Sequence, residues 1–106
     1  RMINTAGELV APPTVERALR SLDVVSDALV VGLPDERWGQ IVAALIVASP
    51  HGRAQASSLS ADALSDALRD SLAPWEQVRR VLLVDALPTT TTGKPDPVAA
   101  AHLFDA

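Results

Sequence analysis

Two apolar runs limit what this chain can fold into. Residues 24–33 read Val-Val-Ser-Asp-Ala-Leu-Val-Val-Gly-Leu and residues 41–47 read Ile-Val-Ala-Ala-Leu-Ile-Val. Both are of strand length and rich in β-branched residues. A strand with one wet face alternates apolar and polar side chains; these runs do not, so both are expected to be central strands, apolar on both faces. Pro34-Asp35 closes the first run, and Pro-Asp-Glu-Arg-Trp-Gly-Gln at residues 34–40 reads as the loop between them. That loop sets an indole, Trp38, among charges, either to pack on its own hairpin or to meet a ligand.

The rest of the chain supplies elements to cover such a sheet. Met2-Ile3 and Leu9-Val10 are short apolar pieces around the turn-rich Asn4-Thr5-Ala6-Gly7-Glu8, which reads as two short strands and a loop. Pro12-Pro13 pre-sets a helix start, and Val15, Leu19 and Leu22 share one helical face while Glu16, Arg17 and Arg20 lie off it. Residues 50–60 read as a flexible surface connection. Ser60 is placed to cap a helix with Leu64, Leu68 and Leu72 on one face, stopping by Pro74. Arg79-Arg80 leads into a strand at residues 81–84, and residues 95–104 read as a last helix with Val98, His102 and Leu103 near one face. The order implies a single α+β domain: a small mixed β-sheet with an N-terminal two-stranded β element, covered by about three helices.

Charge and composition exclude several functions. The formal charge is −4 with no basic tract, which argues against nucleic acid and anionic membrane as partners. No cysteine is present, which removes disulfides, thiol nucleophiles and thiolate metal sites together. No apolar run reaches membrane-spanning length and no leader precedes the domain, so a soluble, cytoplasmic protein is expected. His51 and His102 lack partners at metal-ligand or triad spacing, and no metal site is expected. The chain begins with Arg1 rather than methionine, which fits either a tag scar or excision from a longer polypeptide.

The candidate for chemistry is residues 87–94, Leu-Pro-Thr-Thr-Thr-Thr-Gly-Lys. Pro88 ends the preceding strand, the threonines are placed to bond the loop backbone, and Gly93 allows φ values closed to other residues just before Lys94. This describes a mobile arm tipped with a cation, suited to phosphate or carboxylate oxygens. A P-loop would need glycine five residues before Gly93 and Ser or Thr after Lys94; those positions hold Pro88 and Pro95.

Three segments together resemble the C-terminal domain of the adenylate-forming acyl-CoA synthetase superfamily. They are Met2-Ile3-Asn4-Thr5-Ala6-Gly7-Glu8-Leu9-Val10-Ala11-Pro12 with Val15-Glu16; Ala28-Leu29-Val30-Val31-Gly32-Leu33-Pro34-Asp35-Glu36-Arg37-Trp38-Gly39; and Leu87-Pro88 through Thr92-Gly93-Lys94. The resemblance implies that residues 1–106 are the mobile C-terminal lid of an ATP-dependent carboxylic acid:CoA ligase whose large N-terminal adenylation domain is absent from this sequence. In that family ATP, Mg²⁺ and the carboxylic acid are held mainly by the large domain. An acyl-adenylate forms with release of pyrophosphate, and the acyl group then passes to the thiol of coenzyme A.

By the same resemblance Lys94 is the adenylation lysine, carried on Thr92 and Gly93. Ala6, Gly7 and Glu8 match the loop that lines the pantetheine tunnel after the domain rotates. Trp38 matches an aromatic that stacks on the coenzyme's adenine in some members. Trp75 falls where an aromatic precedes a Lys-rich segment, and Arg79 and Arg80 sit where cations could meet coenzyme phosphates or form a solvated strand end. Several positions depart from the family pattern. Ala6 replaces a glycine, Ala11 an aromatic, Glu76 a common lysine and Val78 a frequent proline, while Pro95-Asp96-Pro97 replaces the usual ending after the lysine. The alternatives are a stand-alone module that binds coenzyme A or a phosphopantetheinyl carrier protein without catalysis, and a structural domain with no chemistry.

Overall fold

The computed structural model describes residues 2–105. Strands β1 (Ile3–Thr5) and β2 (Glu8–Val10) form a hairpin, followed by helix α1 (Pro12–Arg20) and the long hairpin β3 (Val25–Asp35) and β4 (Gly39–Ala48). Helices α2 (Pro50–Ala54) and α3 (Ala61–Ala67) lead to β5 (Arg80–Leu83) and α4 (Pro97–Leu103), with 3₁₀ turns at Ala56–Leu59 and Pro74–Glu76. β3 pairs antiparallel with β4 from Val25↔Ala48 to Asp35↔Gly39, with a bulge between Val25 and Asp27. β1 meets β4 through Thr5↔Gly39, and β5 lies parallel to β4 from Ala43↔Arg80 to Ile46↔Leu83. β3 fills one edge of β4, so β1 and β5 share the other, and β4 is the sheet's spine.

Two apolar layers sandwich that spine, because alternate residues of β3 and β4 point to opposite faces. On one face Val30, Val42, Ala44 and Ile46 meet Val15 and Leu19 of α1 and Leu64, Leu68 and Leu72 around α3. On the other, Leu29, Val31, Leu33, Ala43 and Leu45 meet Ala100 of α4 and Phe104 just after it, with Leu82 and Leu87 packed against them. Leu45 and Leu64 are fully buried; truncating such a side chain to alanine costs about 2–5 kcal/mol. Among the described residues no helix is long and apolar enough to cross a membrane.

The structure corrects several expectations from sequence. β3 is two-sided as expected, yet it is an edge strand. Its outer backbone groups are met by α1: Val30 N–H donates to Glu16 Oε2 at 2.9 Å, and Arg20 Nη1 donates to the Ala28 carbonyl at 3.4 Å. Burial therefore comes from helices on both faces, and side chains stand in for a neighbouring strand. Residues 50–60 hold a helix and a 3₁₀ turn, because Ser49 caps α2 through Gly52 N–H at 3.0 Å and Gly52 is buried against the Val24 carbonyl. Helix α3 ends at Ala67, before the predicted stop, although Leu68 and Leu72 stay buried. In α4 the face carrying Val98, His102 and Leu103 points to solvent, and Ala100 and Phe104 are buried instead.

Candidate functional site

The lysine loop is a closed hairpin. Asp96 N–H donates to the Pro88 carbonyl at 2.9 Å, Thr90 N–H to the Lys94 carbonyl at 2.7 Å, and Gly93 N–H to the Thr90 carbonyl at 2.9 Å. Thr89 bridges to Pro95, so the strand-like legs meet at the base. Gly93 has φ +86° with nothing near where a Cβ would be, so backbone conformation alone asks for glycine there. The expected threonine-to-backbone bonds are not found among the described residues; Thr90 and Thr92 pair hydroxyl to hydroxyl at 3.0 Å instead. Residues 89–95 are all exposed. Lys94 has no carboxylate within ion-pair distance among the described residues.

The hairpin is planted on α4. Asp96 caps that helix, its Oδ1 accepting from Val98 N–H and Ala99 N–H at 3.1 Å each, while Pro97 takes the first helical position, where no N–H is needed. The Pro-Asp-Pro sequence after Lys94 thus converts a loop into a helix start within two residues.

A second loop cluster forms where β1, β2 and β4 meet. Thr5 pairs with Glu8, leaving Ala6-Gly7 as a two-residue turn with φ +53° and +85°. Positive φ at both central residues is the type I′ requirement, and it costs an alanine about 1–2 kcal/mol. Ala6 bears that cost because its N–H donates to the Trp38 carbonyl at 2.8 Å and Gly7 N–H donates to Asn4 Oδ1 at 3.1 Å. The predicted seven-residue Trp38 loop shrinks to Glu36-Arg37-Trp38, since β3 runs through Asp35 and β4 begins at Gly39. Asp35 Oδ2 shapes that turn by accepting from Arg37 N–H at 3.0 Å and Trp38 N–H at 2.8 Å.

Trp38 is half-buried, with the guanidinium carbons of Arg37 and Arg79 at 4.9 and 5.0 Å from its ring centroid. Neither arginine has a carboxylate partner among the described residues. The fold therefore brings together Ala6, Gly7, Trp38 and Arg79, which lie far apart in sequence, and adds Arg37. Arg80 turns away: it lies 5.2 Å from the Phe104 ring and donates to the Phe104 carbonyl at 3.3 Å. Trp75 is 45% exposed on the 3₁₀ turn beside β2, and Glu8 is exposed in β2. No hydrogen bond, ion pair or ring contact among the described residues joins the Lys94 hairpin to this corner.

Arg37, Asn4 and Gln40 were missed from sequence. Gln40 Oε1 accepts from Asn4 N–H at 2.8 Å and joins the two hairpins. Asp35 followed by two backbone donors is a local signal that sequence carries; the Gln40–Asn4 bond depends on register across strands and is not local.

Fold and loops together define a small α+β domain that presents a lysine hairpin from one layer and an arginine–tryptophan corner from another. Residues 14–94 match the profile of the AMP-binding enzyme C-terminal domain, and the chain belongs to that family. It is similar to the medium/long-chain-fatty-acid–CoA/3-oxocholest-4-en-26-oate–CoA ligase of Mycobacterium tuberculosis, with 40% identity over 94 residues, covering 89% of this chain and 16% of the relative. The 4-chlorobenzoate–CoA ligase of a Pseudomonas species is 39% identical over 93 residues, covering 88% and 17%. Among solved structures, an amide bond synthetase from Marinactinospora thermotolerans superposes with a TM-score of 0.83 at 31% identity, over 97% of this chain and 20% of that one. The chain thus spans about a sixth of the length of the relatives it matches.

Proposed function

We propose that this chain is the C-terminal lid of an ATP-dependent carboxylic acid:CoA ligase, working against a large adenylation domain of the same enzyme. The observation that carries this reading is Lys94: an exposed cation without a carboxylate partner among the described residues, on the returning leg of a self-closed hairpin just past its turn. Adenylation drives a carboxylate onto the α-phosphorus of ATP, so two anions approach each other. A lysine delivered into a closed, water-poor cleft offsets their repulsion most where charge builds up in the transition state. By the family resemblance Mg²⁺ and ATP are held mainly by the large domain, and what this chain adds to the step is the Lys94 charge. The acid is selected by the large domain too.

The corner supports the second half-reaction, in which the coenzyme A thiol attacks the acyl-adenylate and AMP leaves. Ala6 and Gly7 present backbone and small side chains where a pantetheine arm would pass. Trp38 offers a ring for adenine, which would share it with the Arg37 and Arg79 guanidiniums, and those two cations suit the coenzyme's phosphates. Glu8, next to Gly7, and Trp75, exposed beside β2, are the further candidates the resemblance supplies.

In the ligase carrying this domain, Lys94→Ala is expected to slow acyl-adenylate formation by about 10²–10³-fold, the loss typical of one preorganised transition-state donor. Thioester formation from supplied acyl-adenylate is expected to be unchanged. Equal loss in both half-reactions overturns the assignment. A stand-alone module binding coenzyme A or a phosphopantetheinyl carrier is the second reading, favoured by the corner's being built entirely within this chain. The likeness to an amide bond synthetase adds that the acceptor need not be coenzyme A in every relative.

A further inference from the structure

We propose that Asn4, Gln40 and Gly32 are positioning residues for acyl transfer: a relay that holds the Ala6–Gly7 turn in one conformation for the pantetheine arm. This rests on the coenzyme reading of the corner. The relay starts on β3, where a Cβ on Gly32 would lie 2.6 Å from Gln40 Nε2 and 3.1 Å from Ile3 Cγ2. Only a residue without a side chain lets the Gln40 amide lie across β3 at this point. Gln40 then reaches from β4 to β1, its Oε1 accepting from Asn4 N–H at 2.8 Å, and the Asn4 side chain carries the link onward, its Oδ1 accepting from Gly7 N–H at 3.1 Å.

The turn needs holding because Ala6 is the only non-glycine residue with positive φ among the described residues. Left-handed backbone at a non-glycine position persists when its surroundings over-determine it. Here two anchors do so, Asn4 on Gly7 and the Trp38 carbonyl on Ala6. The second anchor ties the turn to the ring proposed to carry the nucleotide end of the coenzyme. Adenine platform and pantetheine path are thereby fixed relative to each other, so a ligand spanning both meets a preformed surface and loses less in ordering it.

The test separates the two ends of the ligand. The ligase carrying this domain, isotopically labelled at Ala6, Gly7 and Trp38, is titrated with coenzyme A and, separately, with adenosine 3′,5′-bisphosphate, the nucleotide end without pantetheine, and the amide resonances of Ala6 and Gly7 and the Trp38 indole are followed. Wild type is expected to bind coenzyme A more tightly than the bisphosphate, with Ala6 and Gly7 responding to coenzyme A alone. Asn4→Ala and Gln40→Leu are expected to weaken coenzyme A by about fivefold, the worth of one lost hydrogen bond, and to leave the bisphosphate unchanged. Gln40→Glu keeps the acceptor and is expected to restore coenzyme A binding. Asn4 is exposed, so its replacement leaves the core intact.

Variants that bind both probes like wild type, or lose both equally, overturn the positioning role while leaving the coenzyme reading in place. A wild type that binds neither probe overturns the coenzyme reading, and the relay with it.

Discussion

The lysine hairpin and the Trp38 corner both turn on left-handed backbone, at Gly93 and at Ala6-Gly7, yet they are held in opposite ways. The hairpin closes through its own backbone bonds and a cap on α4, with residues 89–95 exposed. The corner is tied across strands, β1 to β4 through Gln40 and Ala6, with two arginines over its ring. A loop that carries its own closure keeps its shape whatever it meets, which suits a side chain delivered into a cavity built elsewhere. A loop tied to the sheet cannot move alone, which suits a surface that must already fit its ligand.

The largest expected effect comes from breaking the tied side. Gly32→Val drives new methyl groups into Ile3 and pushes the flexible Gln40 amide off its place, and overpacking of this kind is expected to cost about 1–2 kcal/mol. Urea unfolding measures the loss, and amide shifts should spread to Asn4, Ala6 and Trp38 while residues 89–95 stay still. Shifts confined to β3 would show that the corner does not hang on this contact. The hairpin should behave otherwise. Gly93→Ala places a Cβ in open space at φ +86°, so its cost is backbone strain alone, about 1 kcal/mol, confined to residues 88–96 in amide spectra. Perturbation of the corner by this variant would break the contrast between the loops.

Much of this architecture was legible in sequence, because it rests on short-range rules. The non-alternating runs specified a two-sided hairpin, Ser60 caps its helix as expected, and the leucines at 64, 68 and 72 are buried whether or not the helix continues under them. Lys94, Gly93 and Trp38 stand out from residue chemistry, the resemblance supplies their roles and that of Gly7, and the fold shows how each is presented. What stayed hidden depends on pairing. That β3 is an edge served by Glu16 and Arg20 requires knowing that β1 and β5 both go to the other side of β4. That Gly32 matters because Gln40 crosses it requires the register of a hairpin whose loop is shorter than the polar stretch suggested.

The smallest expected effect is the most discriminating, because it reverses sign between the two loops. Ala6 sits at φ +53°, where an L-residue is strained and glycine is not. Ala6→Gly removes a strain of about 1 kcal/mol or more and gives back about half of it as extra freedom of the unfolded chain. The variant is expected to be more stable by about 0.5 kcal/mol, a rise of roughly 2 °C in a thermal melt for a domain of this size. Gly93→Ala, the reciprocal change, should lower stability. If Ala6→Gly lowers it too, the Ala6 methyl contributes more contact than its backbone costs. The turn would then be an ordinary packed element, and the sequence's departure from glycine at this position would be a gain in packing instead of a strain held in place by Asn4 and Trp38.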